Sequence, residues 1–526
     1  MIRLRQIKVL VSDDNYLDVI ASKLKMNKSD IKDYKIIKRS IDSRFKPNNY
    51  YVYEIDIEVD NENKLLNKYG CNDIFKSPIE EYKFKPSGKE NLSNRIVIVG
   101  SGPSGLFCAY MLSMYGYKPI IIERGSDVDT RINKVNEFWK DNTLDMECNV
   151  QFGEGGAGTF SDGKLNTLIK DKDFRMKKVF EIFVENGACE DIMYNNKPHI
   201  GTDILIDVVK NIRNRIINNG GSVRFNTKLT DIKYSNGKLE SIIVNENEEI
   251  KCDCLVVGIG HSARDTFKML YDNNIDMQAK PFAVGVRIQH SQSLINNNQY
   301  GLNYSKKLED ASYKLTHTCK NGRGVYTFCM CPGGYVVNAS SEENRLAING
   351  MSYHDRDSGT ANSAVIVTVG PRDFGDNPLS GIEFQRNMES ITYKIGNGLI
   401  PIQLFKDYIN NKESTKLGSI KPMFKGNYKL TNLNGIFPDY INESLKEGII
   451  EFDKKIKGFA SDDVVLAAIE SRTSSPVRII RDDNFESNIK GIYPCGEGCG
   501  YAGGITSSAM DGIKVAEAIM NKYGNE

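Results

Sequence analysis

The chain of 526 residues carries 69 Lys and Arg against 68 Asp and Glu, a net charge of +1. So balanced a chain excludes the strong positive field of a dedicated nucleic-acid binder, and no apolar run reaches the roughly 20 residues that cross a bilayer. With 40% hydrophobic and 26% charged residues it has globular composition, at a length that suits about two to four domains.

The opening stretch, MIRLRQIKVLVSDDN, is too short and too soon acidic for a secretion signal. Eleven cysteines spread along the chain point to reduced thiols in a cytoplasm rather than a disulfide framework. Residues 1–84 read as a small α+β domain. Ile2 to Val11 is a strand, Tyr16 to Met26 a short amphipathic helix, and Tyr51 to Val59 alternates as a half-buried strand. KRSIDSRFKPNN between them, with Arg39, Arg44 and Lys46, is expected to be a solvated loop, with an RNA adaptor as the alternative. Residues 85–94 have linker composition.

Arg95 to Gly125 is the most informative stretch. Ile96 to Val99 suits a buried parallel strand. Gly100, Gly102 and Gly105 then give G-x-G-x-x-G at the turn into an apolar helix, and Pro119 to Ile122 is a second strand ending on Glu123. Gly100 permits the tight turn, Gly102 lets a pyrophosphate approach the backbone, and Gly105 lets helix and strand pack closely. The helix start offers free N–H groups to phosphates. Glu123 stands at the spacing of an acid that accepts from a ribose. Alone, the unit allows any dinucleotide, NAD included.

Three further glycine-rich elements follow at the ends of expected strands: Gly153 to Gly163, Gly258 to Gly260 and Gly496 to Gly504. In an open α/β sheet, ligands bind outside the carboxyl ends of the strands, so four such loops would enclose a long dinucleotide. Together they resemble the glutathione-reductase-like FAD-binding fold. VVGIGHSA (Val256 to Ala263) resembles its second strand-and-turn element, and GIYPCGE (Gly491 to Glu497) its late acidic motif. More narrowly, GGAGTFSDGKL (Gly155 to Leu165), GHSARDT (Gly260 to Thr266), PFAVGVRIQH (Pro281 to His290), FCMCPGG (Phe328 to Gly334), SRTSSPVRI (Ser471 to Ile479) and YPCGEGCGYAGGI (Tyr493 to Ile505) resemble a poorly characterised bacterial family of FAD-dependent dehydrogenases.

The resemblance implies an α/β protein with α+β parts. A glutathione-reductase-type FAD-binding domain would occupy 95–264 and 456–526, with an inserted mixed-sheet substrate domain over 265–455. It implies non-covalent FAD held by Gly100, Gly102, Pro103, Ser104, Gly105, Glu123, Arg124, Gly156, Gly158, Thr159, Ser161, Leu229, Gly258, Gly260, Glu497, Gly504 and Ile505. In that family fold Glu497 lies near the ribityl chain and Leu229 by the adenine, while Gly504 and Ile505 start a helix aimed at the flavin. There is no second dinucleotide fingerprint, so NAD(P)H would dock only transiently, as an electron donor.

For chemistry beyond the flavin the candidates are Cys329, Cys331, Arg472 and His290. Cys329 and Cys331 lie two apart on an expected strand before a Pro-Gly-Gly turn; packing is the competing reading. Arg287, Arg472 and Arg478 are candidate anion binders, and Arg472 in ESRTSSPVR would clamp a carboxylate or phosphate, or else bridge domains. His290, His317 and His354 are candidate general acids. No histidine spacing suggests a metal site. The expectation is a hydride transfer between flavin N5 and a small organic substrate. A flavin-dependent tRNA-modifying protein and an electron-relay flavoprotein docking a protein donor are the alternatives.

Overall fold

A computed structural model describes residues 1–525. The N-terminal strands Ile2–Leu10, Asp33–Asp42, Tyr50–Glu58 and Ile74–Lys76 form an antiparallel sheet in the order second, third, first, fourth. Alternation puts Ile2, Leu4, Tyr53, Ile55 and Ile57 on its buried face, against the helix Tyr16–Leu24. The expected loop around Arg39 is corrected: Arg39 lies within the strand Asp33–Asp42, whose weak alternation hid it. Its Nε donates to Asn195 Oδ1 at 3.0 Å, and its guanidinium lies over the rings of Tyr51 and Tyr194. Arg44 pairs with Asp42, and Lys46 Nζ donates to the Asn298 carbonyl. These cations tie this sheet together and to its neighbours. The linker-like segment is also held, with Gly88 N–H donating to Met520 O and Asn94 N–H to Asp253 Oδ2.

The second body is a five-stranded parallel sheet in the spatial order Ile492–Pro494, Leu255–Val257, Val97–Val99, Ile120–Ile122, Ser222–Arg224. The chain runs outward to one side of Val97–Val99 and later returns on the other, which creates the switch point where such folds bind ligands. The helix Pro103–Met114 is buried from Ser104 to Ser113, because it is packed between the sheet and the C-terminal helix Ile505–Lys522. That is why its apolar character has no single face. At Gly105 a Cβ would stand 1.9 Å from the Gly100 carbonyl oxygen. A three-stranded meander, Leu229–Ser235, Lys238–Val244 and Glu248–Lys251, fills the crossover to Leu255–Val257.

The third body is a seven-stranded sheet in the order Thr316–Thr318, Gly324–Cys331, Thr360–Val369, Phe282–Ser291, Val465–Glu470, Ile400–Leu404, Tyr428–Leu430. All neighbours are antiparallel except the last pair. Val465–Glu470 lies in the middle of this sheet, beyond the boundary at 455 expected from sequence. One apolar core joins a face of this sheet to the N-terminal sheet, while two others flank the parallel sheet.

Candidate functional site

A long cleft opens at the carboxyl ends of the parallel strands and runs to the edge of the seven-stranded sheet. Its first half is backbone. Gly100, at φ 93°, leads into the helix Pro103–Met114, whose first N–H groups face the cleft behind Gly102. A Cβ on Gly102 would have the Cα of Gly156 as its nearest neighbour, at 3.9 Å, so two glycines face each other across the groove. Cβ atoms on Gly260, Gly503 or Gly504 would meet nothing within 4 Å. The helix Ile505–Lys522 begins there and adds a second positive dipole end.

Glu123 is the hub of this half. Its Oε2 accepts from the N–H and the hydroxyl of Ser101, at 2.9 and 2.8 Å. Its Oε1 accepts from the N–H groups of Gly125 and Gly153, each at 3.0 Å. One carboxylate thus ties three loops together while lining the cleft. Beside it Arg124 donates to both carboxylate oxygens of Asp265 at 2.9 and 3.0 Å and to Glu147 at 2.7 Å, and its guanidinium lies over Phe152. Lys228 joins the same two acids. The Arg124 and Lys228 charges hold the Asp265 carboxyl well below its ordinary range, against a burial effect of opposite sign that is larger than either alone.

The structure brings together most of the expected cofactor contacts. Gly100, Gly102, Pro103, Ser104, Glu123, Arg124, Gly156, Gly158, Ser161, Leu229, Gly258, Gly260, Glu497, Gly504 and Ile505 all line the cleft. Gly105 lies behind it as a packing residue. Thr159 is corrected: it is buried, and its hydroxyl turns toward Gly155 and Val209 on a separate apolar pocket. The short helical turn Gly156–Phe160 rotates it away, which a glycine-rich string does not reveal.

The far half is built from side chains: Asp162, Lys164, Asn166, His261, Phe328, Cys329, Asn349, Glu470 and Thr473. Glu470 is fully covered except toward the cleft and accepts from Arg287 Nε at 2.7 Å; burial raises its carboxyl above the ordinary range. Arg287 spends its other donors on Asn362, Asn349 and the Cys329 carbonyl, so it is a strut rather than a free anion binder. Lys164 Nζ has no hydrogen-bond partner among the described residues. Its nearest acid, Asp162 at 3.4 Å, is already engaged by Arg356. His261 Nδ1 faces Glu497 at 3.2 Å.

Of the expected chemical residues, His290 and Cys331 do not line the cleft, and Arg472 lines it with its guanidinium already engaged. Arg472 makes four of its bonds to Glu389, Ser262 and Ser341, at 2.5 to 3.1 Å. Glu389 is fully buried and also takes Arg264 at 2.8 Å through both oxygens. Arg472 borders the cleft, but its guanidinium is committed to Glu389, Ser262 and Ser341. His290 is buried in the sheet, its Nε2 donating to the Phe459 carbonyl at 2.8 Å, and burial pushes it down to about 4. It does not reach the cleft, so it is withdrawn as a candidate acid. Cys331 is fully covered and does not line the cleft; its thiol donates to the Cys329 carbonyl oxygen at 3.3 Å. Distance in sequence hid one cluster: the side chains of His317, Cys319 and Glu447 place donor atoms within 4.8 Å of one another, with His317 Nε2 hydrogen-bonded to Glu447 at 2.9 Å.

The glycine cradle, the two helix starts and the ordered N–H groups fit a dinucleotide carrying two phosphates. Residues 281–473 match a family profile described as an FAD-dependent protein, C-terminal domain-like, and 98–153 match an NAD(P)-binding Rossmann-like domain. Residues 1–58 match a domain of unknown function. An uncharacterized protein of Clostridium beijerinckii is 52% identical over 99% of both chains. The chain belongs to a poorly characterised family of FAD-dependent proteins. Among solved structures, a glycine oxidase of Bacillus cereus matches with 12% identity and TM-score 0.31, over 82% of this chain and 96% of its own. An L-proline dehydrogenase of P. horikoshii matches with 11% identity and TM-score 0.37, over 83% and 94%. Likeness this loose bears on neither reaction nor substrate. No helix among the described residues is long and apolar enough to cross a membrane.

Proposed function

We propose that this family member is an oxidoreductase that moves a hydride between flavin N5 and a small organic substrate at the seven-stranded-sheet end of the cleft. The observation that carries the reading is continuity: one cleft joins the glycine-built switch point to a side-chain wall that includes Cys329 and Glu470 of the seven-stranded sheet. FAD, when bound, supplies the hydride chemistry. The chain supplies the rest. Gly102, Gly156 and the start of Pro103–Met114 would receive the pyrophosphate, and Thr227 to Leu229 would border the adenine. The N-terminus of Ile505–Lys522 would stabilise negative charge on the ring. Lys164, the one lysine of the far wall without a hydrogen-bond partner, would orient an anionic substrate, and Glu470, held protonated more readily than an ordinary acid, would give or take a proton. On this reading the substrate domain extends to about residue 473, and NAD(P)H is a transient donor.

The purified protein is expected to be yellow, with a flavin spectrum and one FAD released per chain on acid treatment. Protein that is colourless and takes up no FAD would end the proposal. For the tRNA reading, Arg39 and Lys46 are engaged by Asn195 and the Asn298 carbonyl, which leaves Arg44 as the exposed cation of that group.

A further inference from the structure

The far wall holds a nucleophilic pair that hydride transfer leaves unused. The strand Gly324–Cys331 pairs with Thr360–Val369 at Phe328 opposite Ala364, then again at Cys331 opposite Asn362. Three residues therefore span two on the partner, a bulge at Cys329 and Met330. Cys329 sits in it at φ 44°, a conformation non-glycine residues rarely hold without cause. The bulge turns Cys329 into the cleft beside Phe328 and leaves Cys331 on the covered face. It is anchored from both sides: Arg287 Nη1 donates to the Cys329 carbonyl at 3.2 Å, and the Cys331 thiol reaches the same oxygen at 3.3 Å.

The charges around the pair come from three elements. Lys164 and Asp162 face it from the glycine-rich loop, Arg287 from Phe282–Ser291, and Glu470 from Val465–Glu470. Asp162 is neutralised by Arg356 and Glu470 by Arg287. The neighbouring Cys331 thiol, with Lys164 and Arg287, holds Cys329 below the ordinary thiol range, and the same proximity, with burial, raises Cys331.

We propose that Cys329 and Cys331 form a redox dithiol of the cleft, with Cys329 as attacking thiolate, Cys331 as resolving thiol and a small disulfide as substrate. The Cys329 thiolate attacks one sulfur of the substrate; the substrate S–S bond breaks, one thiolate leaves, and a mixed disulfide forms on Cys329. The negative charge on Cys329 is then gone, so Cys331 ionises more easily and gives its proton to a departing thiolate. Cys331 attacks Cys329 Sγ, the mixed disulfide breaks, and the second product leaves. Two electrons and one proton have passed from the pair to the substrate, and solvent supplies the other product's proton. Two electrons and one proton from a reduced flavin return the pair to thiolate and thiol; this return alone rests on the proposed function. A disulfide closed over so short a loop is strained and easily reduced, which suits a pair that turns over.

The test uses the full chain as purified, with exposed Cys71 and Cys189 replaced by serine to remove background. Its flavin content is measured first. Treated with 5,5′-dithiobis(2-nitrobenzoate) at pH 6, it is expected to release two thionitrobenzoates per chain rapidly, and peptide mapping should find a Cys329–Cys331 disulfide. Added Cys331→Ser should release one and retain a mixed disulfide on Cys329. Added Cys329→Ser should lose the fast phase, at least ~100-fold, as an ordinary thiol near pKa 8.5 would react through a small ionised fraction at pH 6. A fast phase that survives Cys329→Ser, or a wild-type reaction that stops at one equivalent, overturns the proposal. Flavin-loaded protein with no fast thiol refutes the dithiol alone. A fast pair in protein that takes up no FAD refutes the proposed function alone.

Discussion

The two ends of the cleft are made of different material. At the dinucleotide end the walls are glycine backbone and helix starts, held by one carboxylate, Glu123. At the other end they are side chains from the glycine-rich loop and from two strands of the seven-stranded sheet, held by buried ion pairs through Arg287 and, just behind, Arg472. Where backbone packs on backbone, as at Gly100 and Gly105, the wall tolerates no added atoms. Side-chain walls tolerate changed atoms but not an unpaired charge. The first end should therefore fail by collision and the second by lost neutrality.

The largest effect is expected at the backbone end. Gly105→Val would drive a side chain into the Gly100 carbonyl, where even a Cβ stands at 1.9 Å. It should abolish flavin retention and cost more than about 4 kcal/mol of stability, read by urea unfolding. A variant that stays yellow and stable would break the comparison. Next, Glu389→Gln leaves the buried Arg264 and Arg472 without their shared anion. Unfolding should become easier by about 3–5 kcal/mol with FAD stoichiometry kept in whatever remains folded. A neutral result would mean that the ion pair does not hold the wall.

His290 supplies a pH effect that belongs to the sheet rather than the cleft. Burial lowers it to about 4 in the fold, from 6.5 in an exposed chain. The unfolded chain therefore binds the extra proton between these values, so stability is complete above pH 6.5 and is lost as pH falls toward 4. The loss should approach about 3 kcal/mol, at about 1.4 kcal/mol per pH unit. His290→Gln should flatten the urea-midpoint profile across that window; an unchanged slope would assign the acid sensitivity elsewhere.

Glu123→Gln sharpens the comparison from the other side. An amide nitrogen would face N–H donors, leaving about 1–3 kcal/mol of unmet hydrogen bonding and weakening FAD retention about 10–100-fold in a dilution assay. Unaltered retention would remove Glu123 as the hub. The smallest change expected is at Arg44, whose side chain is 80% exposed: Arg44→Ala should move the urea midpoint by less than about 0.5 kcal/mol.

The same contrast explains what the sequence showed. Gly100, Gly102 and Gly105 were legible because a tight turn, a phosphate approach and a close helix crossing each exclude a side chain locally. The family strings extended that to the loops at Gly156, Gly260 and Glu497. The far wall was not legible. Nothing beside Glu470 indicates that Arg287, nearly two hundred residues away, becomes its partner, or that Asn349 joins them. His290 reads as polar in an apolar strand, and only the strand order shows that it faces Phe459 rather than the cleft. Thr159 was misread because a single helical turn sets which way it points, and a single bulge, which the sequence does not announce, decides that Cys329 lines the cleft while Cys331 lies covered. One local signal was available for Lys164: it is the only cation in the glycine-rich loop from Asn149 to Thr167.

The most direct test is a crystal structure of the flavin-loaded protein. The predicted result has the adenine against Thr227 to Leu229, the pyrophosphate between Gly102 and Gly156, and the flavin ring at the wall of Cys329 and Glu470. FAD bound in the reverse sense, or outside this cleft, would contradict it.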